Sequence, residues 1–447
     1  MRLEKINLLE ISSSLGFGGT ERALLNVCRY VNRKYFNVFA CGFSEGGYRE
    51  AKLKELGVEY IVANNSVDTV IDFINNKQIN AVDFHRSGQF NELEDRIIRK
   101  AKSENPNIVF LENNIFGKYD QASIGYLDGS IFQSMMHVHE RYLRESRQSF
   151  DFDREKVFYN MIDAEAFEKF RLSEAEILKY KTELGIKKND FIIGKIARSH
   201  IAKWSDLILD MMPYAIKLVP NLKFIIIGLP ESRRQVVKKG VYRNNVIILD
   251  ETTDEAAIHR FYQTIDVLAH SSKIGECNGN TINEAMFWKK PTIVNSTPNK
   301  DNGQLEQVEH MVNGIVANSP QNYARAVAYL AQNPEIRIKM GEKCFRKATT
   351  EYNPTQIAGM LEKYIVEKLV SKGLGLSDEA VEHYKKINYS PSEKQIANYK
   401  NEYPERLKLD FGKLSFSEKV VNLLKSPQKF IQKFKDSLEG RYGFRMY

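Results

Sequence analysis

The chain is poor in the residues that staple or anchor a fold. Only four of its 447 residues are cysteine (Cys28, Cys41, Cys277 and Cys344), and no two share a C-x-x-C spacing. That argues against a disulfide framework and a cysteine zinc site, and makes a reducing compartment, the cytoplasm, the expected home. No run of eighteen apolar residues occurs, so nothing has the length of a membrane-spanning helix. Near the start, Glu4, Lys5 and Glu10 interrupt the apolar residues, so a secretory leader's continuous apolar segment is missing. There is also no evident Ser/His/Asp set, which leaves no obvious protein nucleophile.

What is present describes a large globular chain. At 447 residues it is too long for one ordinary core, and two domains with an appendage are the natural division. Hydrophobic residues make up 43%, and a net charge of +8 is spread over a chain that is 27% charged. That balance favours anionic partners, such as nucleotide sugars, anionic lipid surfaces or nucleic acids, without choosing among them.

Short runs rich in Val, Ile and Phe alternate with longer amphipathic stretches up to about residue 320, the pattern of parallel sheets with crossover helices. The first half predicts strands at Ile6–Ile11, Val38–Phe43, Tyr60–Ala63, Ala81–His85, Ile108–Glu112, Ser130–Gln133 and Val157–Asn160. The second half predicts them at Phe191–Ala197, Lys223–Gly228, Val246–Leu249, Val267–His270, Thr292–Val294 and Ile315–Ala317. Between the halves, Asp163–Gly185 is polar and helical. Two such α/β domains face each other across a cleft at the carboxyl ends of their strands, where ligands bind in doubly wound folds.

The stretch His270 to Ser296, H-S-S-K-I-G-E-C-N-G-N-T-I-N-E-A-M-F-W-K-K-P-T-I-V-N-S, concentrates the chemistry. A strand runs into a small-residue loop at Gly275–Gly279 and then into a helix. Unpaired amides and the positive end of a helix dipole suit phosphate there. Glu276 and Glu284 bracket the loop; carboxylates so placed should face neutral hydroxyls of a sugar or ribose. The plainer alternatives are that Thr281 and Glu284 form a capping box and that Glu276 is a solvated loop residue.

Other motifs sit at strand ends. S-S-S-L-G-F-G-G-T-E-R-A follows the first strand, with Gly16, Gly18 and Gly19 opening onto a helix near Thr20. D-F-H-R-S-G at Asp83–Gly88 and L-E-N-N-I-F-G at Leu111–Gly117 point into the same cleft; for His85, satisfaction by neighbouring backbone is the expected arrangement. G-K-I-A-R-S-H-I-A-K-W at Gly194–Trp204 places Arg198 and Lys203 just beyond a strand, where two cations can neutralise a diphosphate. V-I-I-L-D-E-T-T at Val246–Thr253 offers Asp250 and Glu251, although helix capping near Asp254 explains acids there equally well. Asp151-Phe152-Asp153 spells D-x-D, which in another fold holds a divalent ion.

Taken in order, these residues resemble the family 4 retaining glycosyltransferases of GT-B fold (glycosyl transferases group 1). The likeness rests on Glu276 and Glu284 with A-M, K-K-P and the next strand, on N-S-T-P-N-K-D-N-G-Q-L-E at Asn295–Glu306, and on G-G-T-E, Y-N-M-I-D and the Arg198/Lys203 pair. It covers about residues 5 to 365, with Trp204 standing where glycine is usual. The resemblance implies an α/β fold of two Rossmann-like domains: 1–165 on the acceptor side, 166–353 for the nucleotide sugar, a helix at 354–372 crossing back, and a basic helical extension at 373–447. It implies sugar transfer from a nucleoside diphosphate to a hydroxyl of a glycan or lipid-linked acceptor, with no metal, no other cofactor and no nucleic acid.

By resemblance Glu276, Arg198 and Lys203 are catalytic. The donor-binding set adds Gly18, Gly19, Asn113, Glu251, Asn278, Gly279, Asn280, Thr281 and Glu284, with Glu284 on the ribose and Glu276 on the sugar. Many relatives carry a sugar-contacting histidine where this chain has Glu112, Asn113 and Asn114. Retention is thought to proceed with the acceptor approaching on the leaving phosphate's side. The alternatives are a catalytically silent sugar-nucleotide-binding scaffold, or a phosphorylase or epimerase on the same fold. In the tail, Phe416, Val420, Leu423 and Leu424, then Phe430, Ile431, Phe434 and Leu438, recur at helical spacing among basic residues. Such helices fit an anionic membrane surface, or packing on the catalytic domains or on a second subunit.

Overall fold

The computed structural model describes residues 3–145, 150–297 and 300–412. The amphipathic stripes expected after Lys413 lie outside the described residues. The first half forms a seven-stranded sheet: β1 (Ile6–Ser14), β2 (Phe36–Glu45), β3 (Glu59–Val62), β4 (Ala81–Arg86), β5 (Val109–Asn114), β6 (Gly129–Phe132) and β7 (Glu155–Val157), in the order 3-2-1-4-5-6-7. The second forms a six-stranded sheet: β8 (Phe191–Ile196), β9 (Leu222–Ile227), β10 (Val246–Leu249), β11 (Val267–Ala269), β12 (Thr292–Val294) and β13 (Gly314–Val316), in the order 10-9-8-11-12-13. All pairings are parallel.

Every apolar run expected to be a strand contains or overlaps one. In β4 and β8 each residue is buried, as happens when helices cover both faces of a parallel sheet. The largest displacement is at β7, which ends at Val157 instead of running to Asn160. Tyr159 and Asn160 leave the sheet to bond the second domain, through the Glu306 carboxylate at 2.6 Å and the Asn278 carbonyl at 2.9 Å.

In each sheet the strand order reverses at one place, between β1 and β4 in the first and between β8 and β11 in the second. A doubly wound sheet splays its crossover helices apart there and opens a crevice beyond the strand ends. The two crevices face each other. Polar side chains fix that orientation: the Glu306 carboxylate also accepts from the Met136 amide at 3.0 Å, and the Asn278 side chain donates to the Gln133 carbonyl at 3.1 Å.

Between β7 and β8 the polar stretch forms the helices Ala164–Glu168 and Glu174–Glu183, the second closed by a Ser173/Glu176 capping box. The helix Pro354–Ser371 starts at an Asn353 cap, with proline at its first position. It returns to the first domain, where Glu362 accepts from the Asn32 amide at 2.7 Å and Tyr364 donates to the Arg154 carbonyl at 2.8 Å.

The described part of the extension bridges both halves. The helices Asp378–Lys385 and Glu393–Lys408 follow the crossing helix. On the first domain, His139 stacks on Tyr399 at 5.8 Å and its Nε2 meets the Ile396 carbonyl at 3.0 Å. On the second, Arg406 donates to the Leu305 carbonyl at 3.0 Å and Asp410 accepts from the Asn318 amide at 2.8 Å. Tyr399 is buried at the centre of this clasp and also carries the Arg406 guanidinium on its ring, 5.0 Å from the centroid. Tyr399→Ala is expected to cost about 3 kcal/mol, as a large buried aromatic does when truncated. Chemical denaturation measures this, and an unchanged midpoint would contradict the bridging role.

Candidate active site

The facing crevices enclose a cleft of about 750 Å³. Of the twelve residues singled out from sequence, all but Gly279 line it. Several that were not assigned a role line it too, among them Arg22, Arg49, Gln133 and His270.

On the second domain, β8 ends at Ile196 and the chain turns through Arg198 into the single turn Ile201–Lys203. Trp204, in the place usually held by glycine, accounts for the shape of this turn. Its ring is buried and its indole N–H donates to the Arg198 carbonyl at 3.0 Å, so the residue acts as a peg under the loop. Arg198 is left exposed at the cleft wall, whereas Lys203 is drawn inward to Glu276, 2.9 Å away.

Glu276 is held on a loop whose path depends on Gly275. That residue has a φ of +70°, and a Cβ there would lie 1.7 Å from the Asp301 carbonyl oxygen. Burial alone would raise the Glu276 pKa, but Lys203 and then His270, 3.4 Å away, outweigh it and bring it to about 2. Burial likewise works against the Lys203 ammonium, yet Glu276 holds its pKa above the usual lysine value. The two therefore persist as an ion pair, so Glu276 presents far less negative charge to a neighbouring phosphate than a bare carboxylate.

The helix Asn280–Phe287 starts at Gly279 without a side-chain cap. Its first amides have no partner within the helix, and the Ile282 and Asn283 amides turn back to the Gly279 carbonyl. The Asn280 and Thr281 amides thus form the anion-facing end. Gly279 itself is committed elsewhere, since its amide donates to the Gln307 side chain at 2.8 Å. Asn278 is likewise structural: its side-chain oxygen accepts from Asn283 at 2.7 Å while its amide group reaches the first domain.

The capping box considered for Thr281 and Glu284 is not formed. The Thr281 hydroxyl lies 3.5 Å from His270 Nδ1, and the Glu284 carboxylate turns to Tyr262, whose hydroxyl donates at 2.7 Å, and to Arg22 of the first domain. A buried carboxylate finds more in a phenol and a guanidinium than in one amide of its own helix. On the rim, Glu251 accepts from the Ser199 amide at 2.8 Å, Asp250 pairs with Arg234 at 2.7 Å, and Asp254 caps the helix Glu255–Thr264.

The first domain contributes Gly18 and Gly19 at the start of the helix Gly19–Tyr30, and the ends of β4 and β5. Asn113 on β5 donates to Asp83 at 3.3 Å and accepts from Gln133. His85, beside Asn113 in register, is held by a carboxylate where backbone was expected: its Nε2 lies 2.8 Å from Glu10 and 3.7 Å from Asp83. Adjacent parallel strands place these three side chains on one face, so the imidazole meets carboxylates. Burial raises the Glu10 carboxyl well above its usual pKa; burial, then Glu10, raises Asp83 to about 7. The ligand atoms of Glu10, Asp83 and His85 all lie within 4.8 Å of one another, close enough to hold a cation. Asp151 and Asp153 do not line the cleft; Asp151 accepts from the Arg154 amide in a turn before β7.

Comparison with known proteins bears on the fold and on the second domain's family. Residues 176–347 match the family model described as Glycosyl transferases group 1. Over 178 residues the chain is 27% identical to the alpha-monoglucosyldiacylglycerol synthase of Acholeplasma laidlawii, a match covering 39% of this chain and 43% of that protein. Among solved structures, Anabaena HepE in complex with UDP-glucose superposes with a TM-score of 0.65 at 18% identity, over 82% of this chain and 100% of that one. A glycosyltransferase from Rickettsia africae gives 0.65 at 15% identity, over 82% and 99%. The group 1 resemblance thus holds over the second domain, and the two-domain GT-B architecture is the one observed; the match does not single out family 4.

One buried cation lies beneath the site. Lys195 on β8 donates to the Ser271 carbonyl at 2.8 Å and sits 4.9 Å from the Trp204 ring centroid. Burial pushes its pKa from the usual 10.5 down to about 7. Between those values the unfolded chain holds a proton that the folded one has released. Stability from this group is therefore full above the upper value and lost as pH falls to the lower one. Lys195→Met is expected to raise the melting temperature over wild type at about pH 6 and to lose that advantage by about pH 10. A difference independent of pH would show that Lys195 is not strained by burial.

Proposed function

We propose that the protein is a retaining glycosyltransferase, transferring a sugar from a nucleoside diphosphate to a hydroxyl of a glycan or lipid-linked acceptor. The observation that carries this reading is the placing of Arg198 and Lys203 at the end of β8 across from the uncapped start of Asn280–Phe287, with Glu276 between them. Two cations and two helix-terminal amides converging on one volume match a diphosphate. The UDP-glucose complex of Anabaena HepE supports UDP as the base-bearing half of the donor, and the named product of the Acholeplasma relative supports a lipid-linked acceptor.

In this reading the diphosphate lies on the Asn280 and Thr281 amides, and Arg198 and Lys203 take up the charge that grows as the sugar departs. Glu276, kept ionised by Lys203, accepts hydrogen bonds from sugar hydroxyls. Glu284 takes the ribose. The acceptor oxygen forms its bond to the anomeric carbon on the face from which the phosphate leaves. The bond from that carbon to the phosphate oxygen breaks, and the acceptor's proton passes to that oxygen. No protein nucleophile takes part, and the cations make a divalent ion unnecessary for leaving-group charge.

Arg198→Ala and Lys203→Ala are each expected to lose about 2 to 4 kcal/mol of transition-state stabilisation, the usual loss for one group aimed at developing charge. Initial rates with a nucleotide-sugar panel measure this; near wild-type rates in both variants would remove the donor-site assignment. Activity is expected to survive exhaustive EDTA treatment. If EDTA abolishes it and manganese or magnesium restores it, the reaction depends on a metal, and loss in Asp83→Asn or in Asp153→Ala would show which carboxylates hold it.

A further inference from the structure

Arg49 stands out among the buried side chains of the cleft. It is the first residue of the helix Arg49–Glu55 and only 2% exposed, yet it lines the cleft. Its guanidinium lies against Phe17 and Tyr48, 5.3 and 5.5 Å from their ring centroids, which fix its plane. Among the described residues no hydrogen bond satisfies its Nε, and the nearest carboxylate oxygen, of Glu255 on the second domain, is 3.8 Å away. Burial, then the neighbouring Arg22, lowers its pKa to about 10, while Glu255, Tyr48 and Glu21 pull the other way.

A buried guanidinium with another beside it and no hydrogen-bonded anion is an expensive arrangement unless something else completes it. The nearby acids are already engaged. Arg22 holds Glu284, and Glu21 accepts from the Ser14 hydroxyl at 2.8 Å. The adjacent feature is an N-terminus: Gly18 precedes the twelve-residue helix Gly19–Tyr30, which has no side-chain cap. Two guanidinia and an uncapped helix start thus border one part of the cleft, facing the helix start on the second domain, where Asn280 lies 3.5 Å from the Gly19 carbonyl.

The geometry points to Arg49, with Arg22, as a phosphate-binding pair on the first domain, engaged when a nucleoside diphosphate occupies the cleft. This rests on the donor reading above. The ribose takes Glu284, which frees Arg22 from its carboxylate, and Arg22 and Arg49 then meet the phosphates from the side opposite Arg198 and Lys203. Glu284 and Glu255 are the partners of these arginines in the ligand-free protein. Donor binding thus exchanges ion pairs between the domains.

The test is calorimetric titration of full-length wild type, Arg49→Gln and Arg49→Lys with UDP, ADP, GDP, uridine and inorganic pyrophosphate. Arg49→Gln is expected to weaken the preferred nucleotide by about tenfold or more, the effect of one lost charge-assisted contact, and to leave uridine binding unchanged. Arg49→Lys keeps the charge but not the planar fork and is expected to fall between the two. Loss of pyrophosphate binding with nucleotide binding intact would overturn the assignment to the donor's phosphates. Unchanged binding of both nucleotide and pyrophosphate in Arg49→Gln, or an equal loss for uridine, would overturn the assignment. If wild type binds none of the three nucleotides, the donor reading fails and the pyrophosphate arm decides the site alone. Circular dichroism and melting of Arg49→Gln show whether its loss reflects unfolding, in which case the folded Arg49→Lys carries the comparison.

Discussion

The cleft depends on the Lys203–Glu276 ion pair. A carboxylate beside a diphosphate site would repel its ligand, and a buried one would take up a proton. The lysine prevents both outcomes, and it can do so because Trp204 pegs the loop that carries it and Gly275 lets the opposite loop approach. His270 and Lys195 form the floor beneath the pair. Their own pKa values are lowered, by burial first in each case, so in the fold Lys195 gives up its proton near neutrality and His270 stays largely neutral. The site thus holds a fixed dipole at the wall of the cleft.

Two domains can share such a site only if their relative position is set. Here uncharged amides and one carboxylate do much of that work. Asn278 and Gln307 bind each other, Gly279 and Gln133, while Glu306 is sealed between Tyr159 and Met136. Around the nucleoside end the contacts change character: Arg22 with Glu284 and Arg49 with Glu255 are charged pairs that a ligand can exchange.

Much of the architecture was legible because parallel strands covered by helices are written as short Val-, Ile- and Phe-rich runs; each of the thirteen runs contains or overlaps one of the thirteen strands, although β3 and β10 are only partly buried. Strand-end motifs were legible for a related reason: a doubly wound sheet sends its strand ends to one edge, so residues far apart in sequence converge there. Partners across the domain interface were not legible. Nothing in the spacing of Arg49 or Glu284 tells which guanidinium meets which carboxylate, and Glu284 fits a helix cap equally well until Arg22 and Tyr262 are placed beside it. His85 shows the same limit within one domain, since its pairing with Glu10 follows from the β1–β4 neighbourhood, a matter of strand order. Gly279 and Asn278 sit in the right loop, but their polar groups serve the scaffold.

In the proposed reaction a sugar passes from the nucleotide to an acceptor hydroxyl with its anomeric configuration retained. Proton NMR of the reaction with a nucleotide sugar that the protein turns over reads this from the coupling constant of the new anomeric proton. The expected result is acceptor-dependent product with the donor's anomeric configuration, formed in step with nucleoside diphosphate. Product of inverted configuration, or free sugar released at the same rate without acceptor, would contradict it.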